Sequence, residues 1–486
     1  MGTINVIIFD TAGAGETEEL LSSLKANPSI NKIVSTKNIL SANKPNPSSP
    51  YNSDVLAKAL QEASGTPYVM LIHNPDTTEI VLDEIKLFIN RAKDEKEGSL
   101  FYSDYYMDSR SASSITQVIE YQQGSIRDDF DFGPVQILSA EHVMISFKKF
   151  GPLSASKWAG LYDLKLRLSL TGKIVKLQKP LSLLKQQTQG SHFGYLDPDQ
   201  KALQAEMERT ASAHLKRTKA LCTHRFMSVP DDPDPCPVTA SIIIPVKNRE
   251  KTISDAVKSA LNQKTDFKFN VLVVQNHSTD KTAEQIDSIA KTDSRIIHII
   301  PERKDLGIGG CWNEAINSSL CGRFVCQLDS DDLYINEHTL AAVVEMLKTG
   351  QYGMVVGSYR VVNFNLEEIP PGIVDHSEWT EENGRNNLLR VNGIGAPRAF
   401  TRILLREVPF PNVSYGEDYA VSLRISRDYK VGRIFEPLYL CRRWEENSDA
   451  MLSREQANTY ALYKDKLRTE EIIARQSMNT KTIQTQ

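Results

Sequence analysis

Asp329, Asp331 and Asp332 put three carboxylates into four residues, directly after the apolar run 324–328. Acids crowded at the end of a buried strand repel one another unless positive charge sits among them. A divalent cation supplies such charge, because hard cations take oxygen ligands and magnesium often keeps only one or two carboxylates. The competing reading is a helix cap. Asp is a favoured N-cap, and the residues at 337–348 predict a helix soon after the strand. Taken alone, the cluster fits both.

The elements around the cluster narrow the choice. Apolar runs at 240–246, 270–274, 296–300 and 324–328 read as strands, and apolar spacing predicts helices at 251–262 and 282–290. Strands alternating with helices imply a parallel α/β sheet. In such sheets ligands gather beyond the carboxyl ends of the strands. Asn248, Asn276 and Asp331 all fall at such ends, so they can converge on one crevice. A cap needs one Asp and no crevice.

The first half has the same texture. Strands are expected at 4–9, 32–36, 68–72, 99–102, 135–138 and 173–177, with helices at 16–25, 54–63 and 163–170. The Gly-Ala-Gly step at 13–15 lacks the third glycine and the Lys-Ser/Thr of a phosphate loop, so it reads as a plain strand-to-helix turn. A helix is expected at 199–221, free of Gly and Pro. Four prolines between 229 and 238 mark a semi-rigid linker. A helix at 453–476 carries mixed charges, and the last ten residues read as disordered.

The 486 residues allow two to four domains, and 40% hydrophobic with 24% charged residues is ordinary soluble composition. A net charge of -4, from 57 basic and 61 acidic residues, gives no general pull toward nucleic acid or anionic lipid. No apolar run suits a membrane span and the first ten residues do not read as a signal peptide. At most peripheral membrane contact is expected. Six cysteines without a Cys-x-x-Cys pair argue against disulfide and zinc frameworks and for a cytoplasmic location.

Five segments, in order, closely resemble the family-2 glycosyltransferases of the GT-A fold. They are Ser241-Ile-Ile-Ile-Pro-Val-Lys-Asn248, Val273-Val-Gln-Asn-His-Ser-Thr-Asp280, Leu306-Gly-Ile-Gly-Gly-Cys-Trp-Asn313, Leu328-Asp-Ser-Asp-Asp332 and Gly416-Glu-Asp-Tyr419 with Leu423-Arg424. Glu436-Pro-Leu-Tyr439, leading to Arg442-Arg-Trp444, extends the likeness, which covers roughly 239–449. The resemblance implies a metal-dependent enzyme that moves a sugar from a nucleotide-diphosphate donor to an acceptor hydroxyl with inversion. Mn²⁺ or Mg²⁺ is the implied cofactor, with Asp331 and Asp332 as ligands; Asp331 could instead face the ribose. Pro245, Asn248, Asn276, Gly307, Asn313, Asp329 and Asp331 fall at donor-binding positions. Asp418 is the implied base, with Glu417 beside it; a helix cap is the other reading of Asp418. Arg442 and Arg443 could pair with phosphates or make surface salt bridges to Glu445 or Glu446. A UDP-sugar donor is favoured, with a glycan or lipid-linked acceptor, in bacterial-type surface glycan or polysaccharide synthesis; homo-oligomerisation is left open.

The chain departs from the family pattern in two respects. Gln275 and Asn276 are neutral where Asp is common, and Trp312 replaces a frequent basic residue. A nucleotidyltransferase is the enzymatic rival and would want a glycine-rich loop, but Lys247-Asn248-Arg249 has the charge without the glycine. A non-catalytic nucleotide-sugar-binding scaffold is the other rival, and such a protein has no use for a base at Asp418.

With that template, the first half reads as a worn copy of the second. The run 67–76 lines up with 323–332 and puts His73, Asn74, Pro75 and Asp76 at the acid positions, while Gly160 and Leu161 fall at Glu417 and Asp418. The fold expected is therefore α/β, with two GT-A-like (Rossmann-like, mixed and mainly parallel) domains in tandem. The expected divisions are a degenerate domain at 1–196, a helix and linker at 197–238, a catalytic domain at 239–450, and a helix and tail at 451–486.

Overall fold

Alternation along the first strand sets the two faces of the first sheet. Ile7 and Phe9 join one buried cluster with Val69 and Leu71, while Ile4, Val6 and Ile8 join another with Met70 and Ile72, as a period of two requires. Both faces are buried, so these strands read as continuous apolar runs. The computed structural model describes residues 3–10, 18–42, 49–185, 201–447 and 452–484. Its chain divides into two units, Met1–Leu221 with Arg454–Gln486, and Cys222–Ser453.

The main sheet of the first unit uses β1 (Ile4–Phe9), β2 (Ile30–Ser35), β3 (Tyr68–His73), β4 (Gly98–Ser103), β5 (Val135–Ser139) and β6 (Lys173–Leu177). Their order is β2-β1-β3-β5-β4-β6. β1 is parallel to β2 and β3, β5 is antiparallel to β3 and β4, and β4 is parallel to β6. The Gly-Ala-Gly step at 13–15 and the expected boundary at 196 lie outside the described residues.

The second unit has β7 (Ala240–Val246), β8 (Phe269–Gln275), β9 (Ile296–Ile299), β10 (Phe324–Gln327), β11 (Leu333–Tyr334), β12 (Met354–Val362), β13 (Glu368–Val374), β14 (Arg398–Thr401) and β15 (Val431–Arg442). The order is β9-β8-β7-β10-β14-β12-β15-β11, with β13 paired to β12. Within it, β8-β7-β10-β14-β12-β15 repeats the first unit's order with the same directions. Both units are mixed α/β and share this strand order, one after the other along the chain. β12 and β14 escape the sequence reading; β14 has only four residues, too few to show a period.

Two stretches are more tightly held than their composition suggests. The Pro-rich segment is bound to the second unit: Arg402 Nε donates to Asp232 at 2.8 Å and Met227 N donates to Asp428 O at 2.8 Å. The C-terminal helix Arg454–Gln484 belongs to the first unit and continues through most of the expected disordered tail. Its Asp465 is fully buried and accepts from Ser125 Oγ at 2.7 Å, Arg468 Nη1 at 2.7 Å and Arg127 Nε at 3.3 Å. Buried ion pairs disguise this contact as a polar tail.

Candidate active site

β10 lies in the middle of its sheet, between parallel β7 and antiparallel β14. The acids that follow it are therefore delivered to the interior edge of the sheet. After Leu328 the chain turns, with Asp332 N donating to Asp329 O at 3.2 Å. The next helix, Thr339–Lys348, starts beyond β11 and has His338 at its N-cap without a side-chain bond. The acids cap no helix, so that reading falls away.

Each acid has a distinct set of partners. Asp329 takes both its oxygens to Gln327 Nε2, at 3.0 and 2.9 Å, and its N–H donates to Tyr439 Oη at 2.9 Å. Asp332 is 6% exposed and accepts from Arg442 N at 2.7 Å. Asp331 Oδ2 accepts from Trp444 Nε1 at 3.3 Å and Asn447 Nδ2 at 3.2 Å, with Arg249 Nε at 3.7 Å. Burial, reinforced by the Asp331 and Asp329 charges, holds the Asp332 carboxyl well above the usual range. Burial also raises Asp329, opposed by Arg398 and Gln327.

A second carboxylate pair faces the first. Gly416 sits at φ 78 and opens the helix Glu417–Asp428, with no side-chain cap bond. That left-handed backbone suits glycine. Glu417 is buried with Oε2 lacking a hydrogen-bond partner, and burial, then the Asp418 charge, pushes it up to about 8. Asp418 is ion-paired to Arg398 of β14 and accepts from Tyr419 N at 2.7 Å. Arg398 in turn donates its N–H to Gln327 Oε1 at 3.2 Å, linking the two acid groups through one strand.

These groups line one cavity of about 510 Å³, which includes Pro245, Asn276, Asp329, Asp331, Asp332, Arg398, Glu417, Asp418 and Arg443. This volume is in the range of small-molecule sites. Asn276 Nδ2 donates to Leu306 O at 2.8 Å, whereas its buried Oδ1 has no partner.

Four expected site residues do not line this cavity. Asn248, at φ 52, ties its loop to the next through Thr279 N at 2.8 Å. Gly307 packs on Val413, where a Cβ would come within 2.5 Å of backbone. Asn313 exchanges two bonds with Phe410 backbone at 2.8 and 3.1 Å. The Arg442 side chain turns toward Asp255 at 3.4 Å, so only its backbone serves the acids. Trp312 lines the cavity and stacks on Phe410 with centroids 5.0 Å apart.

Arg398, Gln327 and Asn447 line the cavity although no spacing in the sequence announces them, and Tyr439, from a segment of the family likeness, meets Asp329 through its hydroxyl. The acids' crowding fits a divalent cation, which would relieve the repulsion raising Asp332. Among the described residues, no three His, Cys, Asp or Glu side chains form a ready-made ligand set.

The family model described as "Glycosyl transferase family 2" matches residues 241–408. The chain is 32% identical over 195 residues to the UDP-Glc:alpha-D-GlcNAc-diphosphoundecaprenol beta-1,3-glucosyltransferase WfgD of Escherichia coli, covering 40% of this chain and 72% of that protein. Other curated relatives, uncharacterised glycosyltransferases of Rickettsia, are matched over only 30 to 32% of their own length. Among solved structures, S. aureus TarS 1-349 in complex with UDP-GlcNAc is similar at 22% identity and TM-score 0.38, over 47% of this chain and 66% of that one. The mannosyltransferase PcManGT from Pyrobaculum calidifontis, in complex with GDP-Man and Mn²⁺, is similar at 18% identity and TM-score 0.34, over 56% and 84%.

Proposed function

The chain belongs to glycosyl transferase family 2, and on that premise we propose that its second unit transfers a sugar from a nucleotide-diphosphate donor to an acceptor hydroxyl. The observation that carries this reading is one cavity holding both the acids after β10 and the Glu417–Asp418 pair. Asp418, oriented by Arg398, takes the proton of the acceptor hydroxyl as its oxygen attacks the anomeric carbon. The new bond forms on the face opposite the leaving diphosphate, whose bond to carbon breaks, so the anomeric centre inverts. Glu417, raised to about 8, is protonated at neutral pH and serves as a hydrogen-bond donor. Asp331 and Asp332 would hold Mn²⁺ or Mg²⁺, which supplies positive charge against the diphosphate when bound. Arg443 adds a guanidinium on the same wall, and Asn276 offers its unpartnered Oδ1 to the nucleoside.

The likeness to an undecaprenol-linked glucosyltransferase supports a UDP-sugar donor and a lipid-linked or polysaccharide acceptor, as in bacterial surface glycan synthesis. No described helix is long and apolar enough to cross a membrane; the reaction is assigned to the cytoplasm, with peripheral membrane contact at most. We assign the first unit a binding role without turnover, because His73 and Leu161 stand at its counterparts of Asp329 and Asp418.

The test combines binding and turnover. UDP should raise the melting temperature of the full chain more with Mn²⁺ than without, and Asp332→Asn should lose the Mn²⁺-dependent part. Asp418→Asn should keep the UDP shift while lowering transfer by about 10²- to 10⁴-fold. Transfer at the wild-type rate by Asp418→Asn would remove that residue from the role of base.

A further inference from the structure

The first unit holds a cavity of about 310 Å³ at the end of β3, the strand that matches β10 in order and direction. By the water volume of about 30 Å³, this is room for about ten waters, comparable to one hexose. Strand registers align the two cavities residue by residue. Tyr68 pairs with Ile4 and Ser139, as Phe324 pairs with Ala240 and Thr401. His73 therefore occupies the position of Asp329, and Gln136 that of Arg398.

The chemistry at those positions is different. His73 bonds Gln136 at 3.1 Å and Tyr51 Oη at 3.2 Å and stacks on Phe9 at 4.8 Å. Asp76 is exposed and outside the cavity, and of the two acids on the cavity wall, Asp128 and Asp131, the latter is paired with Arg454 at 2.6 Å. The same wall carries two cations, Arg127 and the buried ammonium of Lys165. Lys165 Nζ sits 4.4 Å from the centroid of Phe132, and no carboxylate of the described residues reaches ion-pair distance. Burial pushes Lys165 down to about 7, with only a longer-range pull from Asp131 against it. Trp158 and Tyr121 supply further aromatic surface on the same cavity.

We propose that this cavity is a second ligand site, for an anionic glycosyl group: a sugar ring bearing a carboxylate or a phosphate. Sugar C–H faces pack on aromatic rings, and the negative group completes the ion pair that Lys165 lacks. A neutral sugar leaves that ammonium unpaired. The choice of a sugar rests on the glycosyltransferase reading, whereas the anion requirement rests on Lys165 alone.

Isothermal titration of the full chain with glucuronate, glucose 1-phosphate, glucose and UMP tests the site. Glucuronate, glucose 1-phosphate or both should bind, and glucose should bind at least tenfold more weakly. Which of the two binds tells carboxylate from phosphate. Lys165→Gln should weaken the charged sugars at least tenfold, Lys165→Arg should retain them, and Asp332→Asn should leave them unchanged. The charged sugars should also change tryptophan fluorescence, and Trp158→Phe should remove that change, which keeps the test open if Lys165→Gln unfolds. The proposal is overturned if neither charged sugar binds at up to about 10 mM, if Asp332→Asn abolishes binding, or if Lys165→Gln folds and binds normally. UMP binding that is tighter than both sugars and is lost in Lys165→Gln overturns the ligand class. A chain that binds charged sugars here yet transfers none retains this site and loses only the transferase reading.

Discussion

Glu417 and Asp418 are neighbours in sequence, yet their surroundings send them opposite ways. Asp418 meets Arg398, while Glu417 keeps a buried oxygen without a partner and rises to about 8. The consequence for stability follows from the folded form binding its proton more tightly than the unfolded chain. Between the unfolded value near 4.5 and about 8, the folded state holds more protons, so the Glu417 contribution to stability declines as pH rises. Below that window the penalty is absent. Glu417→Gln should therefore be no more stable than wild type at pH 4 and more stable at pH 8.5, by about 1–3 kcal/mol. Denaturant melts at the two pH values measure this; a constant difference would remove the titration of Glu417 as its cause. The two roles were not separable from the dipeptide. Glu-Asp at a helix start reads the same whichever side chain turns inward.

At the scale of elements, the site depends on close backbone approach. The helix Ile308–Asn317 begins against the 411–414 stretch that precedes Gly416, and a Cβ on Gly309 would stand 1.9 Å from Pro411 O. Backbone cannot yield as a flexible side chain does. Gly309→Ala should cost about 1–3 kcal/mol and displace the segment leading to Glu417. Its melting temperature should fall, and its KM for donor should rise more than that of a variant equally destabilised far from the cavity. Equal KM values would show that the helix start does not position the site. The strands that deliver the acids were legible as apolar runs. β14, which delivers Arg398, was not, because four residues between Pro397 and a helix carry no periodic signal.

Across the whole molecule, one strand order occurs in both units with different chemistry at the equivalent strand ends. The first unit is completed by the chain's C-terminal helix through Asp465, Arg127 and Arg468. Removing one member of a buried ion-pair group leaves the others uncompensated. Asp465→Ala should destabilise the first unit by about 3–5 kcal/mol. Hydrogen exchange should then accelerate in 1–221 and 454–486 first, with UDP binding by the second unit retained. Acceleration confined to the second unit would contradict this assignment of the helix.

The sequence by itself determined the α/β architecture, the tandem repeat of strands, the family likeness and the acids at 329, 331 and 332. These follow from apolar period and from short motifs whose chemistry is local. Only the tertiary structure decided that Arg398 meets Asp418, that Arg442 turns away to Asp255, and that the charged C-terminal stretch is buried on the first unit. Each of those depends on partners many residues distant, and an ion pair leaves no period in the chain. The acid cluster could be read in a line of residues; what orients and buries it could not.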